Sequence, residues 1–197
     1  MTAVTELLPA PAVRTVREPA WWGMVLLITT EASLFAYLLF SYFYVASEAR
    51  AAWPPGGPPS LHLALPNTFV LLTSSIVMWW AEAGIRSGER VRLGRGLLVT
   101  LILGTIFLLL QVAEYRGLPF SPGTDAHGSL FYVITGFHSA HVAVGLLMIA
   151  VVLLRTWLGH FSLGRHLAVT VTSWYWHFVD IVWLAVFTTL YLSPRLG

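Results

Sequence analysis

Apolar positions in this chain gather into five long runs, separated by short clusters of proline, glycine or arginine. A helix of about 20 apolar residues matches the roughly 30 Å hydrocarbon thickness of a bilayer, so each run is long enough to cross one. The first run covers 20–45. It opens on Trp21 and Trp22 and closes on Tyr42, Phe43 and Tyr44, the pattern of aromatic belts at two interfaces. Four prolines and two glycines at 54–59 exclude helix there, so 46–65 reads as the longest loop. The second run, 66–83, places Pro66 in a first helical turn and Trp79 and Trp80 near the far interface. The third, 94–115, is followed by a connector with Pro119, Pro122 and Gly123, and the fourth and fifth cover 129–157 and 167–192. The predicted fold is all-α: a five-helix transmembrane domain at 19–197 behind a short tail at 1–18, with no internal repeat.

Composition agrees with that pattern. The chain is 57% hydrophobic and 10% charged with a mean hydropathy of +0.74, outside the balance of a soluble domain. It has no cysteine, which excludes disulfides and thiolate metal sites. The net charge of +2 comes from eleven arginines and no lysine. Because these arginines lie between apolar runs, they read as topology signals and give no support for nucleic-acid binding. With five spans, Arg14, Arg17, Arg86, Arg90, Arg92, Arg95, Arg155 and Arg165 share one side, against Arg50, Arg116 and Arg195 on the other. That split predicts a cytoplasmic N-terminus and an external C-terminus. Arg86, Arg90, Arg92 and Arg95 are also candidates for contact with lipid headgroups.

The candidate chemistry lies in the few polar residues inside the runs. His177 and Asp180 are three apart in the fifth, His138 and His141 three apart in the fourth, and Glu31 interrupts the first. Three-residue spacing puts each pair on one helix face. At ~1.5 Å rise per residue, Glu31 lies roughly 16 Å from the start of its span and His177 and Asp180 roughly 15 to 20 Å into theirs. His138 and His141 fall on the order of 10 Å from the same face. Gln111 and Glu114 form a secondary polar pair near the outer interface. The five inner residues support several readings: hydrogen-bonded glue between helices, a proton route through Glu31, a zinc or iron site of mixed nitrogen and oxygen ligands, or an axial haem histidine. Gly136, Ser139, Ala140 and Gly145 permit close helix packing, whereas Trp176 and Trp183 read as packing or lipid-facing groups.

Four motifs together narrow these readings. Trp-Tyr-Trp-His-Phe-Val-Asp-Ile-Val-Trp-Leu at 174–184, Thr-Gly-Phe-His-Ser-Ala-His-Val at 135–142, Leu-Leu-Gln-Val-Ala-Glu-Tyr at 109–115 and Glu31 after Trp22-Gly23-Met24 occur in order. With Pro66-Asn67-Thr68 they resemble subunit III of the haem-copper terminal oxidases, the cytochrome c oxidase type. The resemblance implies a five-helix bacterial form, lacking two N-terminal helices of seven-helix relatives, in the inner membrane. It implies an accessory, non-catalytic subunit of a hetero-oligomeric, proton-pumping oxygen reductase beside subunits I and II. Haem and copper are then expected in the partners, none on this chain, with phospholipid bound and proton uptake supported. Glu31 falls on the family's carbodiimide-reactive carboxylate. With the two helices absent, the lipid cleft they border in relatives is either shared with another subunit or missing. Alternatives are a stand-alone proton-coupled transporter, a metalloenzyme, or the related subunit of a quinol oxidase or nitric oxide reductase system.

Overall fold

The computed structural model describes residues 19–49, 53–162 and 164–196; the expected tail at 1–18 lies outside them. The described residues form five helices long and apolar enough to cross a membrane: α1 (Pro19–Glu48), α2 (Leu61–Arg86), α3 (Arg90–Gly117), α4 (Ala126–Trp157) and α5 (Leu167–Phe187). Helix α5 continues through a π-helical turn, Thr188–Leu192, and a 3₁₀ turn, Ser193–Arg195. No β-strand occurs among the described residues, only one isolated bridge between Ser162 and Arg165.

The helices begin and end where local chemistry dictates. Helix α2 starts five residues before the predicted Pro66, because Ser60 accepts the backbone N–H of His62 at 3.2 Å and so caps the earlier turn. Pro66 therefore sits inside the helix, not in its first turn. Helix α4 starts at Ala126 because Asp125 accepts from Gly128 N at 2.7 Å. Two helices leading to the same end of the bundle stop in the same way. Gly88 (φ 83°) passes the Glu89 N–H back to Gly84 O at 2.8 Å, and Gly159 (φ 76°) passes that of His160 to Arg155 O at 3.0 Å. Only glycine enters this left-handed conformation without strain, so each turn is tight and the next helix returns antiparallel. We call this end, with Arg86 to Arg95 and Arg155, the arginine end, and the opposite end, with the 53–60 loop, the proline end.

Helices α2, α3, α4 and α5 pack as a closed ring, and α1 lies outside against α4 and α5. Two tryptophans of α5 fill the ring. The Trp176 indole lies between Gly104 of α3 and Gly145 of α4, where an added Cβ would come within 2.6 and 2.9 Å of it. Its Nε1–H donates to Ser74 Oγ of α2 at 3.0 Å. One turn-pair further on, Trp183 donates to Thr68 Oγ1 of α2 at 2.9 Å and packs against Phe107 and His138. Both indoles are fully buried, so they are packing groups and do not face lipid. Gly145 permits close approach as expected, but Gly136 has open space around it. In a bilayer, lipid tails are as apolar as the core, so this packing and these hydrogen bonds are what hold the helices together.

Candidate functional site

The inner polar residues occupy three settings. Glu31 of α1 and His141 of α4 are hydrogen-bonded, with His141 Nε2 at 2.9 Å from Glu31 Oε2. The other ring nitrogen, Nδ1, is 2.7 Å from Phe137 O, and since a carbonyl only accepts, Nδ1 carries a proton. That fixes the chemistry of the pair. One proton lies in the Glu31–His141 bond, and the pair is either carboxylate with imidazolium or carboxylic acid with neutral imidazole. The two side chains are 30% and 15% exposed in a membrane-facing groove of about 280 Å³ lined by Met24, Leu27, Ala140, Val144, Met148 and Tyr175. Tyr175 closes its inner wall by donating to His141 O at 3.2 Å.

His138, one turn from His141, is fully buried among Phe35, Phe107 and Trp183, with no hydrogen bond to either ring nitrogen. His177 and Asp180 lie elsewhere, at the seam between α5 and α2. His177 Nδ1 is 2.6 Å from Ser75 Oγ. Ser75 also faces the buried Asp180 carboxyl, whose oxygens lie outside hydrogen-bond geometry. The structure therefore joins Glu31 with His141 and His177 with Ser75, and leaves the Asp180 carboxyl beside Ser75 without a hydrogen bond. His138 bonds to neither group. Among the described residues no three histidine or acidic side chains converge as they do around a metal ion.

Near the proline end, Glu114 is buried. Tyr191 O–H donates to its Oε1 at 2.9 Å and Gln111 Nε2 to its Oε2 at 3.3 Å, beside a cleft of about 220 Å³ lined by Ser60, His62 and Leu63. The π-helical turn is where Tyr191 leaves α5 for this contact. Tyr191→Phe removes one of two donors to a buried carboxylate and is expected to cost about 1 kcal/mol, because membrane hydrogen bonds average below the charged-group value in water. Thermal unfolding in detergent checks this, with Tyr37→Phe on the exposed face of α1 as the reference.

At the arginine end, Arg86 pairs with buried Glu82 at 2.6 Å, and Arg92 lies over Trp80 with its Nε on Trp80 O at 3.1 Å. Arg90, Arg92 and Arg95 line a cleft of about 530 Å³ with Trp80. Sequence reasoning missed Glu82, Ser74 and Ser75, and it took Asn67 and Thr68 only as part of a motif, without their buried contacts. Their signal was there: Thr68, Ser75 and Glu82 are seven apart, as are Asn67 and Ser74, which places two polar stripes on the buried side of α2.

Comparison with known proteins bears on these residues together. A family model described as "Cytochrome c oxidase subunit III" matches residues 10–194. Among curated proteins, the chain is 39% identical over 177 residues to "Cytochrome c oxidase subunit 3" of Lumbricus terrestris, an alignment covering 86% of this chain and 68% of that protein. The protein of the same description from Pisaster ochraceus is 40% identical, and that from Danio rerio 38%, each with the same coverage.

Proposed function

The chain belongs to the cytochrome c oxidase subunit III family, and from that premise we propose that it steadies the catalytic subunit of a proton-pumping, oxygen-reducing complex without a redox centre of its own. Membership makes it a multi-pass membrane protein and one component of a hetero-oligomeric oxidase. The finer reading places it beside subunits I and II in a bacterial inner membrane, with haem and copper in those partners. The arginine end faces the cytoplasm in this reading, because most of the assigned arginines lie there.

The observation that carries a specific role is the Glu31–His141 pair in its membrane-facing groove. Ionisable groups at such depth are kept where they pair or conduct protons. A groove with apolar walls and one shared proton suits a phospholipid chain lying along α1 and α4, with the pair below its headgroup. Support of proton uptake is assigned to the same pair, which holds its proton without leaving either partner unbonded. Arg90, Arg92 and Arg95, beside Trp80, are the candidates for anionic headgroups at the arginine end.

The test is a mild-detergent pull-down of the C-terminally tagged chain with a reduced-minus-oxidised optical spectrum. Haem bands travelling with two larger membrane proteins are expected. A colourless lone chain from membranes with active oxidase overturns the assignment. Glu31→Gln keeps the size of the side chain but removes its acid. It is expected to leave haem content unchanged while shortening activity during sustained turnover several-fold; an unchanged lifetime counts against a role for the pair.

A further inference from the structure

Among the described residues, two places bring a histidine or acidic group to the surface of the bundle at mid-membrane depth. The Glu31–His141 groove is one, and there each group satisfies the other. The α2–α5 seam is the other. His177 is partly exposed and is the eleventh residue of α5, about 15 Å along its axis by the helical rise. Ser75 engages Nδ1 on the inner side, while Nε2 bonds to no described residue and is not among the buried atoms. The outward edge of this imidazole therefore faces the membrane region with its hydrogen-bonding capacity unused. Lipid tails offer it nothing, and polar groups at this depth face protein or water.

The surroundings give that edge a shape. Helices α1 and α2 each pack on α5 but make little contact with each other, so a strip of α5 remains open between them. Ile181, one turn from His177, is 66% exposed along this strip, and Ile76 and Trp79 of α2, beside Ser75, are 67% and 68% exposed. Trp174, on the same stripe of α5, packs against Trp21 of α1. A strip with apolar edges and one unsatisfied polar group at its centre fits a transmembrane helix carrying a hydrogen-bonding side chain.

We propose that the α2–α5 seam is where this chain docks on a transmembrane helix of its catalytic oxidase partner, with a polar side chain of that helix bonding to His177 Nε2. This rests on the assignment to an oxidase complex. The seam also sets what the partner must offer. Ser75 has one hydroxyl proton. If it donates to His177 Nδ1, Nε2–H points outward as a donor; if it accepts from Nδ1–H, Nε2 presents a lone pair.

The chain contains no cysteine, so single cysteines can be introduced without background. Ile181→Cys and Ile76→Cys on the seam, and Ile102→Cys and Leu147→Cys on the exposed faces of α3 and α4, are labelled with a benzophenone maleimide in membranes holding the intact complex. Photolysis is expected to join the two seam positions to the large haem-bearing subunit, while the two control positions react only with lipid. Cross-links from the controls and not from the seam overturn the proposal, as does a complex that assembles but cross-links at none of the four. If no haem protein accompanies the chain at all, the oxidase assignment fails instead.

A substitution pair separates docking from internal support. Glutamine carries its amide near the position of the ring Nε2 and asparagine near that of Nδ1. His177→Gln is expected to keep the partner through detergent washing. His177→Asn and His177→Leu are expected to lose it several-fold faster. Asparagine retaining the partner better than glutamine assigns His177 to Ser75 alone and rejects the interface.

Discussion

Gly96→Ala is expected to destabilise the bundle by about 3 kcal/mol, at the top of the range for one added methyl in a packed core. The added Cβ would lie 2.4 Å from Ala81 Cβ and 3.1 Å from Ala81 Cα, and the edge of Trp80 is at 3.3 Å. The obstacle is helix α2 itself near its backbone, which has no flexible tip to turn aside. Helices α2 and α3 must separate, and their contact is the most extensive in the fold. Gly104→Ala meets the far edge of Trp176 at 2.6 Å and Leu146 Cδ2 at 2.7 Å. The Leu146 methyl can turn aside but the indole is held between two helices, so the expected loss is comparable, about 2 to 3 kcal/mol. Gly136→Ala meets nothing within 4 Å and is expected to be neutral or stabilising by up to about 1 kcal/mol through helix propensity. Thermal unfolding in one detergent orders the three. A Gly96 variant as stable as the parent contradicts the packing of α2 on α3.

The same comparison shows what the sequence made legible. Five helices followed from apolar runs and their punctuation, because a membrane permits few backbone solutions and hydropathy reports them directly. Helix starts were less legible: Ser60 and Asp125 caps moved α2 and α4 to earlier starts than the apolar runs suggested. The candidate residues were found as residue types at shared depth, and depth is one coordinate only. It does not give the angular position around the bundle, which decided that Glu31 meets His141 across α1 and α4 while His177 meets Ser75 across α2 and α5. Hydropathy also hid α2, where serine and threonine weigh little against leucine although they receive the indole N–H groups of Trp176 and Trp183. Gly145 was legible as a small packing residue, but Gly104 looks ordinary in the sequence and only the Trp176 ring between the two explains it.

Trp176 is where those missed features converge, and its replacement separates packing from hydrogen bonding. The indole reaches α3 and α4 through Gly104 and Gly145 and α2 through Ser74, so one side chain of α5 meets every other helix of the ring. Trp176→Ala leaves two glycine surfaces facing a hole that neither helix can fill. Large-to-alanine changes in soluble cores cost about 3–5 kcal/mol, part of which is transfer from water. Here the reference surroundings are lipid, which solvate the indole nearly as well as the core does, so the expected loss is about 3 kcal/mol, mostly from lost packing. Trp176→Phe keeps a ring between the glycines but removes the donor to Ser74. Membrane hydrogen bonds average about 0.6 kcal/mol, and the smaller ring forfeits some contact, so a loss of about 1 kcal/mol is expected. Ser74→Ala on its own tests the bond without changing the ring. If Ser74→Ala matches Trp176→Phe, the indole N–H accounts for the phenylalanine loss. If Trp176→Ala proves no worse than Trp176→Phe, the two glycines are not there to receive the indole, and the ring of four helices does not close on Trp176.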